Sequence, residues 1–595
     1  MGGVGQDILR KGRLRTLSST IKLRNFESKE DTAAEASTSG VLYHCAIVRE
    51  VLSGDRAEIK KSIIQNNIYG VDIEKGAVDI ARLRFWLSIV VDEETPSPLP
   101  NLDYKIMQGN SLIESFEGVD LSKLTYEKEY KKDKGEITLF DDEKNRLQKT
   151  VSLLLASYYS CSDHDKKVRL RQEISNTINK QLEAQAYNPA ILKKLKTINL
   201  AENSQFFLWH TWFSDVFNRE DDKNGFDIVI GNPPYVNIAN IKDETLRKTY
   251  QRYYKTIKNK SDLYSIFTER AHWLLRVKGI CSFIFSNSWM GTDSFSIFRQ
   301  FLVNETKIIK LIDLPNRVFE TAQVRTCIIF FAKEKVENNS IVLCNYDGIQ
   351  FSTKNHVLTY NNIRKFENYP FSFEQGIDLT KIKTITLGEI AKFSLGIKTS
   401  NDKKIISSVP FQYDNYKLIR GRNIQRYGYP ISNEWIWYRP DLFMEKAGAG
   451  ARKLEYFLTD TKIVIQDIGT EICATIDKNK LLCNDTINLI YQIDKGYSFE
   501  YILGLLNSKA IRFWHKKVFP EGLHIKKYQL MAIPIADVTC DDVQDSIVRL
   551  VSEILENRKQ NPLADTTDLE KQIDRIVYRI YDLTEDEIKI IEQSI

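Results

Sequence analysis

The sequence lacks the features that mark an exported, disulfide-bonded or membrane-spanning protein. Its eight cysteines include no Cys-x-x-Cys pair, which argues against both a zinc site and a disulfide framework. No apolar run approaches the roughly 18 residues that are needed to span a bilayer. The start of the chain has neither the basic residues nor the apolar stretch of a signal peptide. We therefore expect a soluble, cytoplasmic protein with reduced thiols, no bound metal and no membrane partner.

Charge of one sign is not in strong excess either. The 595 residues include 84 Lys and Arg against 79 Asp and Glu, and the net charge of +5 does not by itself indicate a nucleic-acid partner. A chain of this length is expected to form about three to four domains. The distribution of motifs and charges along the chain is therefore more informative than the totals.

The most informative stretch runs from Phe226 to Tyr235, where an apolar segment leads into Asn-Pro-Pro-Tyr. The apolar residues suit a buried strand of a parallel sheet. Pro233 and Pro234 stiffen the turn that follows, because each proline fixes φ and removes a backbone donor. Open α/β sheets bind ligands at the carboxyl ends of their strands, so the sequence predicts a site at this turn.

Asn-Pro-Pro-Tyr offers chemistry suited to an amine whose lone pair is delocalised, such as the N6 amine of adenine. The side-chain oxygen of Asn232 and the carbonyl of Pro233 can accept both N–H bonds, and Tyr235 can stack on a base extruded from a duplex. The motif resembles the catalytic motif of S-adenosylmethionine-dependent methyltransferases that modify exocyclic or amide nitrogens. The alternative interpretation is an ordinary Asn-Pro turn at the end of a strand.

Two earlier segments have the order expected of a nucleoside-binding sheet. A strand within 68–73 ends near Asp72, whose carboxylate can accept both ribose hydroxyls, and Ile73 can cover one face of an adenine. A short strand within 101–112 ends near Asn110, which can meet the adenine edge of the cofactor. A surface acid and a turn asparagine are the alternatives for Asp72 and Asn110.

With these segments the chain from about residue 60 onward resembles the methyltransferase and specificity half of a type IIG restriction-modification enzyme, of the gamma class of adenine-N6 DNA methyltransferases. The resemblance implies S-adenosylmethionine as the cofactor and double-stranded DNA as the partner. The residues implied to contact the cofactor are Asp72, Ile73, Asn110 and Ser111. The residues implied to hold the adenine are Asn232, Pro233 and Tyr235, and Pro234 completes the implied catalytic motif. A second base-stacking residue is also implied; Phe319 is the candidate, and core packing is its alternative.

The sequence departs from this family at one important point. The family has a first strand that ends in an Asp-Pro-Ala-Cys-Gly-Ser-Gly-like loop, whose glycines let the backbone approach the cofactor. No such loop occurs between Met1 and Ile68. We therefore expect poor cofactor affinity, unless an upstream polypeptide supplies this first motif and a nuclease domain.

Strand-like and helix-like segments alternate up to about residue 380 and are followed by short strand-like segments. This order predicts an α/β chain with an incomplete Rossmann-like methyltransferase sheet, then a β-rich α+β target-recognition domain and C-terminal helices. The predicted divisions are a partly disordered segment with a helix at 1–60, the methyltransferase domain at 61–375 with a helical insertion at about 120–205, the target-recognition domain at 380–540 and a helical segment at 541–595. The aromatic run 206–213 is predicted to belong to the strand before the catalytic one. Beyond the catalytic turn, a helix is predicted to reach Leu275 and to end at Gly279, with a strand at 280–286.

The region after residue 380 also contains two basic clusters. Segments 387–390, 418–424 and 503–509 are similar to elements of the TaqI-like specificity domain. One cluster spans 417–426 without an acid, and the other spans 509–527 with Glu521 as its single acid. Such clusters can position a protein on phosphates or read guanine edges, although a solvated basic face is the alternative. The candidate DNA-binding residues are Arg420, Arg422, Arg426, Lys516, Lys517, Lys526 and Lys527.

Two functional hypotheses of different class follow. The first is a site-specific adenine-N6 DNA methyltransferase, the modification and specificity half of a restriction-modification system. The second is a DNA-binding specificity fragment that is catalytically silent because its first cofactor motif is missing. Protein glutamine methylation shares Asn-Pro-Pro-Tyr, but it gives no reason for a basic, β-rich domain.

Overall fold

The computed structural model describes residues 56–93, 99–122, 139–184, 188–219, 221–258, 260–315, 325–366, 368–374, 376–399, 402–443, 452–494, 496–519, 524–537 and 541–595. Within these ranges no helix is both long enough and apolar enough to cross a membrane. The predicted order of an α/β part, a β-rich part and C-terminal helices is confirmed.

The first part forms a small parallel sheet from one βαβ unit. Its elements are α1 (Arg56–Asn67), β1 (Gly70–Asp72), α2 (Lys75–Val90) and β2 (Ile106–Gln108), followed by a hairpin of β3 (Ser115–Phe116) and β4 (Val119–Asp120). β1 and β2 pair in parallel, with Gly70 opposite Ile106. Arg82 on α2 donates to the Ile106 carbonyl from Nε at 3.0 Å and from Nη2 at 2.6 Å, which fixes the crossover helix against β2. Residues that follow β1 and β2 therefore lie at the same edge of this sheet.

Helices separate this unit from the main sheet. They are α3 (Leu139–Ser160), α4 (His164–Ala184), α5 (Pro189–Leu195), α6 (Trp209–Trp212) and α7 (Ser214–Phe217). The α3 and α4 helices pack through buried side chains that include Val151, Leu155 and Ile178. The aromatic run 206–213 was expected in a strand, but it forms a loop and the short helix α6, with most of its rings buried against β5 and its neighbours. Its role is core packing.

The main sheet has seven strands in the order β10-β9-β7-β8-β6-β5, with β11 paired to β9. Its elements are β5 (Phe226–Gly231), α8 (Glu244–Tyr253), α9 (Leu263–Leu274), β6 (Leu275–Ser286), α10 (Ser296–Glu305), β7 (Lys307–Asp313), β8 (Thr326–Ala332), β9 (Ser340–Tyr346), β10 (Phe351–Thr353), β11 (Leu358–Thr359) and α11 (Tyr360–Arg364). β5 and β6 run parallel, whereas β8 is antiparallel to both β6 and β7. One face of the sheet packs on α9 and α10.

The predicted boundary between α9 and β6 is wrong. The helix ends at Leu274 and the strand begins at Leu275, five residues before the predicted start. Lys278 has a φ of 59°, and the register against β5 shifts in this stretch. A Cβ at Gly279 would lie 2.8 Å from the Phe226 carbonyl oxygen, so glycine is needed there for close approach to β5. The glycine therefore marks an irregularity within a strand and not the end of a helix.

The β-rich part contains two four-stranded sheets, in the orders β13-β20-β17-β18 and β14-β16-β15-β19, and a β12-β21 pair. Its elements are β12 (Thr384–Thr386), α12 (Leu387–Ile390), β13 (Ala391–Leu395), α13 (Asp402–Ile405), β14 (Ile406–Ser407), β15 (Asn415–Ile419), β16 (Glu434–Trp437), α14 (Pro440–Phe443), β17 (Lys462–Gln466), β18 (Ala474–Asp477), β19 (Leu482–Cys483), β20 (Ile487–Ile493), α15 (Phe499–Asn507), α16 (Lys509–Val518), α17 (Lys527–Met531) and β21 (Pro534–Ala536).

The last helices are α18 (Asp541–Gln560), α19 (Thr567–Ile580) and α20 (Glu585–Ser594), and they share one hydrophobic cluster with α15, α16 and the first of these sheets. Gly504 permits the contact with α18, because a Cβ there would lie 2.6 Å from Ile547 Cγ2. Asp574 on α19 accepts from the Lys509 backbone N–H at 2.8 Å. The C-terminal helices thus complete the core of the β-rich part.

Candidate active site

The Asn-Pro-Pro-Tyr turn directly follows β5, an outer strand of the main sheet, and its asparagine is exposed. Asn232 comes immediately after Gly231, the last residue of β5, and Pro233 behind it is buried. The buried proline anchors the turn while the amide remains accessible to a ligand. This geometry meets the first requirement of the predicted role, which is an acceptor held on a stiff backbone at the carboxyl end of a parallel strand.

Tyr235 is half-buried beside α9. Its ring lies edge-on to Tyr264, with ring centroids 6.3 Å apart, and its hydroxyl donates to the Ile284 carbonyl at 3.3 Å. Burial, together with the nearby Cys327, raises the pKa of Tyr235 to about 12. The phenol is therefore neutral and acts as a donor near neutral pH, and its remaining contribution to a site is the face of its ring.

Two predictions for Tyr235 combine this geometry with the methyl transfer that the resemblance implies. Tyr235→Phe keeps the ring and loses one partly exposed hydrogen bond, so we expect methyl transfer within a few-fold of wild type. Tyr235→Ala removes the stacking surface, which is worth about 1–3 kcal/mol per base, so methyl transfer is expected to fall about 10- to 100-fold. Rates should show no loss from Tyr235 ionisation between pH 7 and about 10, because its pKa is raised to about 12. Initial rates of the three proteins across this pH range test both points.

Backbone hydrogen bonds hold the residues that follow the turn against the start of α9. The backbone of Ile238 donates to the Ser261 carbonyl at 3.0 Å, and Leu263 donates to the Val236 carbonyl at 2.9 Å. The Asn237 side-chain oxygen accepts from the Ala239 backbone at 3.0 Å. These bonds fix the direction in which the chain leaves the turn, so the turn is held by β5 on one side and by α9 on the other.

The candidate cofactor residues lie after β1 and β2. Asp72 is exposed, and its Oδ1 accepts from the Glu74 backbone at 2.8 Å, while Ile73 is 46% exposed. An accessible carboxylate beside an accessible aliphatic side chain suits a ribose and the face of an adenine. Asn110 is buried instead: its Oδ1 accepts from the Leu112 backbone at 3.1 Å, and its Nδ2 lies 3.4 Å from the Tyr250 hydroxyl. Asn110 therefore shapes the loop after β2.

A polar network ties that loop to α6 and α9, the helices before and after the Asn-Pro-Pro-Tyr turn. The Ser111 carbonyl accepts from Trp209 Nε1 at 3.1 Å and from Arg270 Nε at 3.2 Å. Arg270 on α9 also donates to Glu114 at 2.9 Å, and His210 Nδ1 lies 3.1 Å from the same carboxylate. Burial opposes the charge on Glu114, but His210 and Arg270 together hold its pKa below the usual range.

The sequence analysis missed Arg270 and Glu114. Arg270 gives no clear signal of its own, because it follows Glu269 in a helix that also contains His272. Phe319, the candidate second stacking residue, lies in 316–324, outside the described residues.

Most of the basic residues in the two clusters of the β-rich part are paired with acids from distant parts of the sequence. Arg420 binds Glu434 at 2.7 Å and Asp402 at 3.2 Å, and Arg426 binds Glu570 at 3.1 Å. The three lysines that are likewise paired at 3.3–3.5 Å are Lys516 with Glu471, Lys517 with Glu374, and Lys526 with Asp467. Arg422 is exposed, and neither it nor Lys527 has an acidic partner within 4 Å among the described residues. Arg422 is thus the candidate most available to a phosphate or a base.

Comparison with known proteins places the chain among enzymes of DNA modification. Residues 66–319 match the model of the Eco57I restriction-modification methylase, and residues 416–535 match that of the TaqI-like C-terminal specificity domain. A type II methyltransferase of Thermus thermophilus is 33% identical over 324 residues, which cover 52% of this chain and 72% of that protein.

Two further similarities are more distant. A Methanocaldococcus jannaschii protein, whose name describes a type II restriction enzyme and methyltransferase, is 25% identical over 606 residues and 88% of this chain. The chain covers 49% of that protein, or about half its length. The solved structure of the type IIL restriction-modification enzyme MmeI in complex with DNA aligns at 12% identity with a TM-score of 0.48, covering 94% of this chain and 78% of that one.

Proposed function

Because the chain belongs to the Eco57I-like restriction-modification methylases with a TaqI-like specificity domain, we propose that it methylates the N6 amine of adenine at a specific site in double-stranded DNA, with S-adenosylmethionine as the methyl donor. The observation that carries this proposal is the exposed amide of Asn232 on a proline-anchored turn, at the end of a parallel strand. Asp72 and Ile73, exposed after β1, would hold the nucleoside part of the cofactor.

In the proposed reaction, the main task of the protein is to position the adenine amine. When bound, the cofactor supplies an electrophilic methyl group on a good leaving group. Asn232 and the Pro233 carbonyl accept the two amine N–H bonds, which localises the lone pair and aims it at the methyl carbon. One proton of the amine then passes to solvent. Orienting the two reacting atoms supplies most of the acceleration, so no general base is required of this site.

Product analysis tests the proposal. The chain is incubated with unmethylated genomic DNA and labelled S-adenosylmethionine, and the DNA is digested to nucleosides for mass spectrometry. We expect label in N6-methyldeoxyadenosine. Label in N4-methylcytosine or in protein would overturn the adenine assignment, and the Asn232→Ala protein is the blank for contaminating activities.

A second candidate function is a silent specificity fragment, and one observation favours it. Among the described residues, no strand pairs with the second edge of β1 or of β5. Titration of labelled cofactor onto the isolated chain separates the two functions. Binding supports the enzyme, whereas absence of binding that is restored by an upstream polypeptide supports an enzyme divided between two chains.

Arg422 provides a prediction for DNA binding. Arg422→Ala should weaken duplex binding and reduce the slope of log K against log salt by about one, because one phosphate contact is lost. Arg439→Ala is the matched control, since Asp441 already neutralises that guanidinium at 2.6 Å. Fluorescence anisotropy over a range of salt concentrations measures both slopes. Equal slopes for wild type and Arg422→Ala would exclude this residue from the phosphate contacts.

A further inference from the structure

The turn between β6 and α10, residues 287–295, is held in shape by one buried arginine. We call it the β6–α10 turn. Arg299 on α10 is 0% exposed, and its Nη1 donates to the carbonyls of Trp289 at 2.5 Å and Thr292 at 2.7 Å. Its Nε donates to the Asn368 carbonyl at 2.8 Å. Because the guanidinium is planar and rigid, these bonds fix the carbonyls relative to one another. The turn is therefore a stiff element.

One side of the β6–α10 turn contacts the β-rich part. Tyr528 on α17 donates from its hydroxyl to the Gly291 carbonyl at 3.2 Å. Gln529 Nε2 lies 3.4 Å from the same hydroxyl, and Gln529 Oε1 accepts from the Lys526 backbone at 2.9 Å. Burial raises the pKa of Tyr528, so its hydroxyl remains a donor near neutral pH. A short chain of hydrogen bonds thus joins the basic segment at 526–527 to the β6–α10 turn.

The other side of the β6–α10 turn contacts the loop that follows Asn-Pro-Pro-Tyr. Lys258 Nζ donates to Asp293 Oδ1 at 3.1 Å and to Ser296 Oγ, at the start of α10, at 2.8 Å. The backbone of Ser261 donates to the Lys258 carbonyl at 3.1 Å, and Ile238 donates to the Ser261 carbonyl at 3.0 Å. The same stiff turn is therefore bonded both to the β-rich part and to the segment that leaves the catalytic turn.

Other contacts between the β-rich part and the preceding part constrain their relative orientation less. The Phe366 ring packs on Trp514 with ring centroids 5.8 Å apart, and Lys517 lies 3.5 Å from Glu374. Apolar packing is non-directional, and a partly exposed ion pair with a flexible lysine tolerates several geometries. A hydrogen bond to a carbonyl instead requires a defined distance and angle. The bond from Tyr528 therefore adds a defined orientation to parts that are already held together.

We propose that Tyr528 is a positioning residue, which couples the placement of the β-rich part on DNA to the catalytic turn through Gly291, the β6–α10 turn and Lys258. This inference rests on the proposed function and concerns the regulation of the same site. Methyl transfer needs the two reacting atoms about 3–3.5 Å apart and aligned, so a small displacement of the catalytic turn slows it. Methyl transfer is fast only when the β-rich part binds the duplex in the orientation that forms the bond from Tyr528 to Gly291.

Tyr528→Phe tests the proposal, because it removes the hydroxyl and keeps the ring against Phe519, whose centroid is 6.0 Å away. The single-turnover rate at saturating duplex should fall about 3- to 10-fold, the effect of losing one neutral hydrogen bond. Duplex affinity and melting temperature should stay near those of wild type. Tyr429→Phe is the matched control, since its hydroxyl bonds to Asn479 within the β-rich part at 3.0 Å and should not affect the rate.

Hydrogen exchange on the full chain tests the coupling without methyl transfer. Adding duplex to wild type should slow exchange in the β-rich part and also in 236–241 and 287–295. In Tyr528→Phe the protection of the β-rich part should remain, whereas protection of the other two segments should fall at least threefold. Wild-type protection in Tyr528→Phe, or a parallel loss of rate and duplex affinity, would overturn the proposal. Coupled exchange in a wild-type chain that transfers no methyl group would support it and count against the proposed function alone.

A double-mutant cycle identifies the route of the coupling. Asp293→Ala removes the ion pair with Lys258 on the other side of the β6–α10 turn. If both contacts act through this turn, Tyr528→Phe/Asp293→Ala should be no slower than the slower single variant, because either change already breaks the connection. Rate losses that multiply in the double variant would show that the two residues act independently, and the proposed route would be wrong.

Discussion

Replacing Asn232 with alanine is expected to lower the rate of methyl transfer about 10²- to 10³-fold, the effect of losing one positioned hydrogen-bonding group in an active site. Asn232 is exposed on an anchored turn, so its loss leaves no cavity and no unpaired buried group. Duplex affinity should stay near wild type, because phosphate contacts dominate it. Single-turnover rates with labelled cofactor and anisotropy on the same duplex measure the two effects.

Two further variants make this prediction specific. Asn232→Asp keeps an acceptor oxygen at the same position, so it should retain more activity than Asn232→Ala. Asn240→Ala removes another exposed asparagine of the same loop and should behave like wild type. If the rate and the duplex affinity fell together in Asn232→Ala, the side chain would be supporting the fold or the DNA surface, and the assignment of its role would be wrong.

The sequence was sufficient wherever a local pattern decides the structure. The apolar run before Asn232 predicts the strand β5, and the double proline predicts a stiff turn, because both properties belong to a few adjacent residues. The prediction that this strand is buried was wrong for the described part of the chain, where Ile228 and Ile230 are 62% and 75% exposed. The strand predicted for the aromatic run 206–213 was wrong because no local pattern decides its conformation. It is apolar at nearly every position, so it has neither a strand period nor a helix period, and packing around Phe226 decides its conformation.

The ion pairs of the basic residues were not predictable, because their acidic partners are far away in the sequence. Arg426 is neutralised by Glu570 from the C-terminal helices, and Lys517 by Glu374 from before the β-rich part. No window around either residue contains these acids. The same limit hid the Glu114 and Arg270 pair, whose members are 156 residues apart in the sequence. A basic cluster in a sequence therefore indicates a charged surface only after such pairs are removed.

A second large effect is expected at Lys462, which is paired with Asp477 across β17 and β18. Both side chains are 0% exposed. Lys462 Nζ also donates to the Phe457 carbonyl at 2.7 Å, and Asp477 accepts from the Leu481 backbone at 2.9 Å. Lys462→Met leaves the carboxylate buried without a counter-charge. The free energy of unfolding of the β-rich part should therefore fall by about 3–5 kcal/mol, the usual cost of breaking a buried ion pair.

A double variant shows whether Lys462→Met destabilises the protein by leaving a buried charge unpaired or by removing packing contacts. Adding Asp477→Asn to Lys462→Met removes the orphaned charge, so most of the stability should return, because a buried pair contributes little beyond the cost of its own desolvation. Lys480→Met is the matched control, since its pair with Asp460 is exposed and should cost less than about 1 kcal/mol. Urea unfolding followed by hydrogen exchange of peptides from β17 and β18 measures this domain alone. A double variant no more stable than Lys462→Met would show that the lysine acts through its packing and its bond to Phe457, and not through its charge.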